Sequence, residues 1–382
     1  MGDVMFDKKR ILELAKKLIA IDSSNPPGNE KAVADVLAEE FRRLGLEVRF
    51  LEAAHERPNL LAIWRGGVGK KLIFHGHMDT LPAGEGWKHN PFGGETDNGK
   101  IYGRGATDMK GPLASLVCAI EQLKKEGWEP KGELMILACC NEEMGDREEI
   151  GMRFVADKIT GDFILMAEAT DFNIVTAEKG PLWLEFTAHG KQAHGSMPWL
   201  GVNAIEKLGR FLMELKTLQF DVNHPLLGKS TLSINTIAGG VKTNAVPGIA
   251  RATVDIRLVP GEDKEKVKAK INDMIKRMKV NDKELDIDFR ETLFYEPVET
   301  PADQPFLSML KQAAENASGK KIKLMGEHGA TGAWIFVKHG IPAVVCGPGK
   351  PEIAHSKDEY IEVDELVKAT NFYAEFAKKF LG

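Results

Sequence analysis

Seven residues of this chain have the types and order that metal-assisted hydrolysis needs: His77, Asp79, Asp108, Glu142, Glu143, Glu168 and His355. They sit in His77-Met78-Asp79, Asp108-Met109-Lys110-Gly111, Asn141-Glu142-Glu143, Ala167-Glu168-Ala169 and Ala354-His355-Ser356. Imidazole suits zinc and its neighbours, and carboxylates add charge and can bridge two cations. A carboxylate left over beside such ligands can act as general base toward an activated water. Each residue has a bland reading when taken alone. His-x-Asp is a weak signal, Asp108 before a helix could be only an N-cap, and an isolated Glu-Glu pair is usually a solvated acidic turn. Placement changes the balance. Glu142-Glu143 follows a buried apolar run, and two carboxylates there repel unless cations neutralise them.

The elements that must position these residues are legible as apolar runs. Helices are expected over residues 11–19, 30–44 and 109–125, and strands over 47–51, 60–64, 71–74, 133–140 and 163–167. The run over 75–105 is long, Gly-rich and polar, which in a compact domain marks a functional loop. Strands alternating with helices imply an α/β domain with a mixed, largely parallel sheet and helices on both faces. The carboxyl ends of parallel strands line the ligand crevice, so His77, Glu142 and Glu168 can converge although far apart in sequence.

The pattern changes at Gly180. Strand 182–188, helix 202–215, strands 231–237 and 250–258, helix 264–278 and strand 285–289 give β-α-β-β-α-β, the order of a ferredoxin-like unit. The α/β pattern then returns with helices 306–315, 333–338 and 363–380 and strand 343–346. The expected organisation is a catalytic domain in two parts, 1–179 and 293–382, with a lid or dimerisation domain, 180–292, inserted between them.

Composition narrows the function classes. A chain of 382 residues is long for one core, and 43% apolar with 28% charged residues is a globular balance. A net charge of −5 argues against nucleic acid as the main partner. No apolar run approaches the ~18 residues of a membrane span, and Met1 to Lys9 lead into an amphipathic helix with no signal-peptide core. Cys118, Cys139, Cys140 and Cys346 contain no Cys-x-x-Cys and read as reduced core residues. A cytoplasmic protein is expected.

The whole set resembles a family, the metallopeptidases that include acetylornithine deacetylase, succinyl-diaminopimelate desuccinylase, aminoacylase and glutamate carboxypeptidase. The stretches that carry the resemblance are His75 to Asp79, Gly103 to Gly111, Asn141-Glu142-Glu143, Ala193-His194-Gly195-Ser196, Gly240 to Pro247, Asp255-Ile256-Arg257 and His355 to Tyr360. The resemblance implies two divalent ions, zinc with cobalt or manganese as alternatives. His77 and Glu168 would hold one, Glu143 and His355 the other, and Asp108 would bridge. Asp79 would orient His77, and Glu142 would be the general base. His194 would reach the neighbouring site of a homodimer formed through the inserted domain and donate to the oxyanion. Asn244 and Arg257 would bind a substrate carboxylate, and Thr331 would border the pocket. The substrate is then a small N-acyl amino acid, with a carboxypeptidase or dipeptidase as the alternative and a non-catalytic metal- or ligand-binding relative as a further one. One departure concerns Gly332 and Trp334, where many relatives carry an Asp after the Thr and an Arg later on.

Overall fold

The computed structural model describes residues 7–382. In chain order these form α1 (Lys8–Ile19), α2 (Glu30–Arg43), β1 (Glu47–Ala54), β2 (Arg57–Arg65), β3 (Lys71–His77), α3 (Lys110–Lys125), β4 (Glu133–Cys139), β5 (Phe163–Met166) and β6 (Ile174–Glu178). Next come β7 (Gly180–His189), α4 (Ala204–Leu215), β8 (Thr231–Gly239), β9 (Ile249–Leu258), α5 (Lys264–Asn281) and β10 (Ile287–Phe294). The chain closes with α6 (Pro305–Ser318), α7 (Ala333–Lys338), β11 (Ala343–Val345) and α8 (Val363–Leu381). The reading of the chain start rests partly on residues 1–6, which lie outside the described residues.

Two compact units separate. The larger runs to Thr176 and resumes over Thr300–Met325 and Thr331–Gly382, and the smaller comprises Ala177–Glu299 and Gly326–Ala330. In the larger unit β4, β3, β5 and β11 run parallel, while β2 pairs with β4, and β1 with β2, antiparallel. The alternation of strand side chains divides the apolar residues between two faces. Leu72, Phe74, Leu134, Ile136, Phe163 and Leu165 join one core with α1, α2, α3, α6 and α8. On the other face of β3, His75 meets Phe336 of α7 at 5.6 Å between ring centroids. The helices start and stop where local chemistry dictates. The Asp7 carboxylate caps α1 by accepting from Lys9 N at 2.9 Å, and Gly319 ends α6 in the left-handed region at φ 71°. Ile11, Leu14, Ala15 and Leu18 then fall on one buried stripe of α1.

In the smaller unit the order across the sheet is β8-β9-β7-β10, all antiparallel. Taken by sequence the four strands stand 2-3-1-4, the ferredoxin-like arrangement. Leu184, Phe186, Ala188, Val254 and Ile256 pack on α4 and α5, while Thr187, Arg251 and Thr253 point to the other face.

Two features of the larger unit were not legible as expected. The polar run after β3 is not all loop: residues 95–97 and 100–102 form a hairpin that pairs onward with residues 360–362. A five-residue helix, Met152–Ala156, follows the Glu142-Glu143 turn. The four cysteines are buried and unpaired. No helix among the described residues is long and apolar enough to cross a membrane.

Candidate metal centre

The geometry begins with β3, whose last residue is His77. Of its parallel neighbours, β4 ends level with it, His77 opposite Cys139, and β5 ends two residues earlier, Met166 opposite His75. The residues just beyond those ends are therefore neighbours in space. His77 Nε2 lies 2.9 Å from Asp108 Oδ1 and 3.7 Å from Glu168 Oε2. His355 Nε2 lies 3.0 Å from the other oxygen of Asp108 and 3.1 Å from Glu143 Oε2. Asp108 thus offers each of its two oxygens to a different imidazole. Ligand atoms of His77, Asp108 and Glu143 all fall within 4.8 Å of one another.

The electrostatics are those of a site with too much negative charge. Burial pushes the Glu142 carboxyl well above the ordinary range, and Glu168, Glu143 and Asp108 add repulsion that His77 only partly offsets. Glu168 is pushed up to about 7, by burial first, and its Oε1 is buried without a hydrogen-bond partner. Burial works to lower His77, but the facing Glu168 and Asp108 hold it well above the usual imidazole value. The hydrogen bonds to Asp108 and Glu143 raise His355 to about 10. Asp108 goes the other way: burial works to raise it, but His355 and His77 hold it far below the carboxylate range. The crowded carboxylates, the two imidazoles and the orphaned Glu168 oxygen suit divalent cations by charge and by donor type.

Asp79 meets His77 through its main chain. His77 Nδ1 donates to the Asp79 backbone carbonyl at 2.9 Å, while the nearest carboxylate oxygen stands at 3.7 Å. The carboxylate instead accepts from the backbone N–H of Glu142 and of Glu143, both at 3.1 Å, and from Asn25 Nδ2 at 2.9 Å. It therefore grips the turn that presents the acidic pair. Asn25 also donates to Asn141 Oδ1 at 2.9 Å and is buried. Nothing in the sequence singled out Asn25. Arg104 and Glu359 were visible only as members of matched stretches. Glu359 accepts from the backbone N–H of Thr107 and Asp108 and pairs with Arg104.

Of the remaining expected residues, Thr331 belongs to the larger unit. Thr331 Oγ1 accepts from Ala333 N at 3.1 Å at the start of α7. His194, Asn244 and Arg257 belong to the smaller unit. His194 is exposed, with Nδ1 2.7 Å from Ser196 Oγ. Asn244 is exposed, its carbonyl accepting from Gly195 N at 2.8 Å, so the two loops lie side by side. Arg257 forms a forked contact with Asp255 at 2.9 and 3.0 Å.

Comparison with known proteins agrees over most of the chain. The family model described as peptidase family M20/M25/M40 matches residues 73–379. A probable succinyl-diaminopimelate desuccinylase from Staphylococcus aureus is 30% identical, with 98% of each chain covered. A succinyl-diaminopimelate desuccinylase from Wolbachia pipientis is 28% identical, covering 97% of this chain and 93% of its own. Among solved structures, the aminopeptidase PepT from Bacillus cereus superposes with a TM-score of 0.81 at 23% identity, over 99% of this chain and 100% of that one. An M20 family metallo-carboxypeptidase from Sulfolobus solfataricus gives a TM-score of 0.77 at 22% identity, over 100% and 99% of the two chains. At these identities the two structures speak for the fold.

Proposed function

The chain belongs to peptidase family M20/M25/M40 and is an enzyme of that metallopeptidase and amidohydrolase class; on that premise we propose that it hydrolyses the amide bond of a small N-acyl amino acid, in the manner of a deacetylase or desuccinylase. The observation that carries the reading is Asp108, whose two oxygens face His77 and His355 at 2.9 and 3.0 Å. In this proposal His77 and Glu168 would hold one divalent ion and Glu143 and His355 the other, with Asp108 shared by the two positions. Zinc suits the imidazole and carboxylate donors, and cobalt or manganese fits the same set. Two such cations supply Lewis acidity toward the scissile carbonyl and toward water.

The chain's own residues do the rest. Glu142 takes a proton from the attacking water and returns it to the leaving amine. Asp79 and Asn25 hold the Glu142 turn against the end of β3. Arg257 and Asn244 bind the substrate carboxylate, and His194 donates to the oxyanion in the partner's site of a homodimer. Support for that dimer comes from the smaller unit. Strand β8 is a sheet edge, and Trp199, Ile205, Met213 and Ile237 are exposed. The unpaired cysteines agree with a cytoplasmic setting.

The test is a panel of N-acetyl and N-succinyl amino acids and dipeptides presented to the metal-loaded protein. Release of the free amine from an N-acyl amino acid, stopped by a chelator, is the expected result. Cleavage of dipeptides alone would replace the deacylase reading with a dipeptidase. Uptake of metal without turnover on any member would leave a binding protein.

A further inference from the structure

Arg104 and Glu359 take no part in the chemistry above, yet they form a buried ion pair at its edge, with side chains 4% and 0% exposed. Glu359 Oε2 accepts from Arg104 Nη1 at 2.7 Å. Glu359 Oε1 accepts from the backbone N–H of Thr107 at 2.9 Å and of Asp108 at 3.0 Å. The guanidinium turns its other edge to the chain at His355. It donates to the carbonyl of Ser356 at 3.3 Å and to that of His355 at 3.4 Å. One pair of side chains thus holds the backbone at Asp108 and at His355 together.

The sequence brings this about through register. Ile101 pairs with Ile361, and Gly103 N donates to Glu359 O at 2.9 Å. That pairing sets Arg104 beside Glu359 just before the chain turns into Asp108. His355 has a particular need of support, because its φ is 63°, in the left-handed region that residues with a Cβ populate at a cost. Contacts from elsewhere must hold it there. His77 lies on the parallel ladder of β3 with β4, and Glu168 follows β5 by two residues; neither takes a hydrogen bond from Arg104 or gives one to Glu359.

We propose that Arg104 and Glu359 are a positioning pair that fixes His355 against Asp108 and so sets the affinity of the second cation position, the one held by His355 and Glu143. The inference rests on the two-cation reading above. The first position keeps His77 and Glu168 when the pair is broken, so the two affinities separate.

Zinc titration followed by calorimetry and by competition with a chromogenic chelator tests this on the full chain. Wild type takes up two ions. Glu359→Gln keeps an oxygen for the Thr107 and Asp108 N–H groups but turns an amide toward Arg104. In that variant the second ion binds ~10- to 100-fold more weakly, the usual cost of losing a partner that orients a ligand, while the first is held. Turnover falls at limiting zinc and recovers in excess zinc. Arg104→Lys keeps the charge but not the fork and falls between. Glu121→Gln is the structural control: it removes charge from a carboxylate that pairs with Arg10 at 3.0 Å and Arg43 at 2.8 Å. It lowers the melting temperature without separating the two zinc affinities. Glu359→Gln protein that is folded by circular dichroism yet binds both ions as wild type does, or loses both equally, overturns the positioning role alone. A wild type that saturates at one ion removes the two-cation reading, and this proposal with it.

Discussion

The acidic strand ends of the larger unit and the loops of the smaller unit hold their polar residues in opposite ways. Asp79 is buried and accepts from Asn25, Glu142 and Glu143, partners 54, 63 and 64 residues away along the chain. His194 is exposed and bonded to Ser196, two residues on, and Arg257 is paired with Asp255, two residues back. The first arrangement is fixed by the fold and is preorganised before any substrate arrives. In the second, each side chain's partner lies two residues away along the chain. Substitutions in the two regions should therefore fail differently, in turnover and stability together for the gripped turn and in turnover alone for the exposed loops.

The largest effect is expected at Glu142. Glu142→Gln should lower turnover by ~100- to 10,000-fold, the usual worth of general acid–base help, while metal analysis still finds two ions. Glu143→Ala should lose metal as well as rate. If Glu142→Gln lost metal and Glu143→Ala did not, the roles of the pair would be exchanged. His194→Ala comes next, at ~100- to 1,000-fold in turnover, with an unchanged melting temperature. Each homodimer, His194→Ala or Glu142→Gln, should be nearly inactive. Mixed dimers should recover activity, because one of their two sites then has both groups intact. Mixed dimers that form and recover nothing would remove His194 from the partner's site.

Asp79→Ala sharpens the contrast between the regions. It leaves the N–H groups of Glu142 and Glu143 without their acceptor and the Asn25 amide with Asn141 Oδ1 alone. An unsatisfied buried polar group costs ~1–3 kcal/mol, and loss of an orienting partner costs ~10- to 100-fold in activity. Both losses should be seen together, in urea unfolding and in turnover. A variant that loses turnover at unchanged stability would mean that the carboxylate acts on the chemistry directly and not through the turn.

What the sequence made legible follows the same division. The buried strands β3, β4 and β5 read clearly, because a sheet covered on both faces needs continuous apolar runs such as Leu134 to Cys139. The acidic residues just after them were legible as a set for the same reason. The hairpin at residues 95–102 was not, since it is polar and depends on pairing with Tyr360 to Glu362, more than 250 residues away. The grip of Asp79 on the Glu142 turn and the parts played by Asn25, Arg104 and Glu359 were hidden for that reason too. Hydrogen bonds to backbone N–H groups leave no periodicity or spacing. In the smaller unit the alternation of β7 and β9 gave the sheet, but nothing local distinguishes a working His194 from any exposed histidine.

The smallest expected effect lies at Gly332, where the chain departs from the resemblance. A Cβ built there would stand 2.0 Å from Met152 Sδ and 2.2 Å from Met152 Cε. Met152 is buried at 2% exposure on the short helix after the acidic turn, so its side chain fills the space that a larger residue at 332 would take. The clash falls on the far end of a flexible thioether, which can swing aside at modest cost. Gly332→Ala should therefore lower stability by about 1 kcal/mol, the low end of the overpacking range. Pairing it with Met152→Ala should give a double variant more stable than the sum of the two single losses, by ~0.5 kcal/mol or more, because the cavity and the added methyl offset each other. Urea midpoints of the four proteins in the cycle decide it. Strict additivity would mean that Met152 does not set the size of residue 332, and that glycine stands there for another reason.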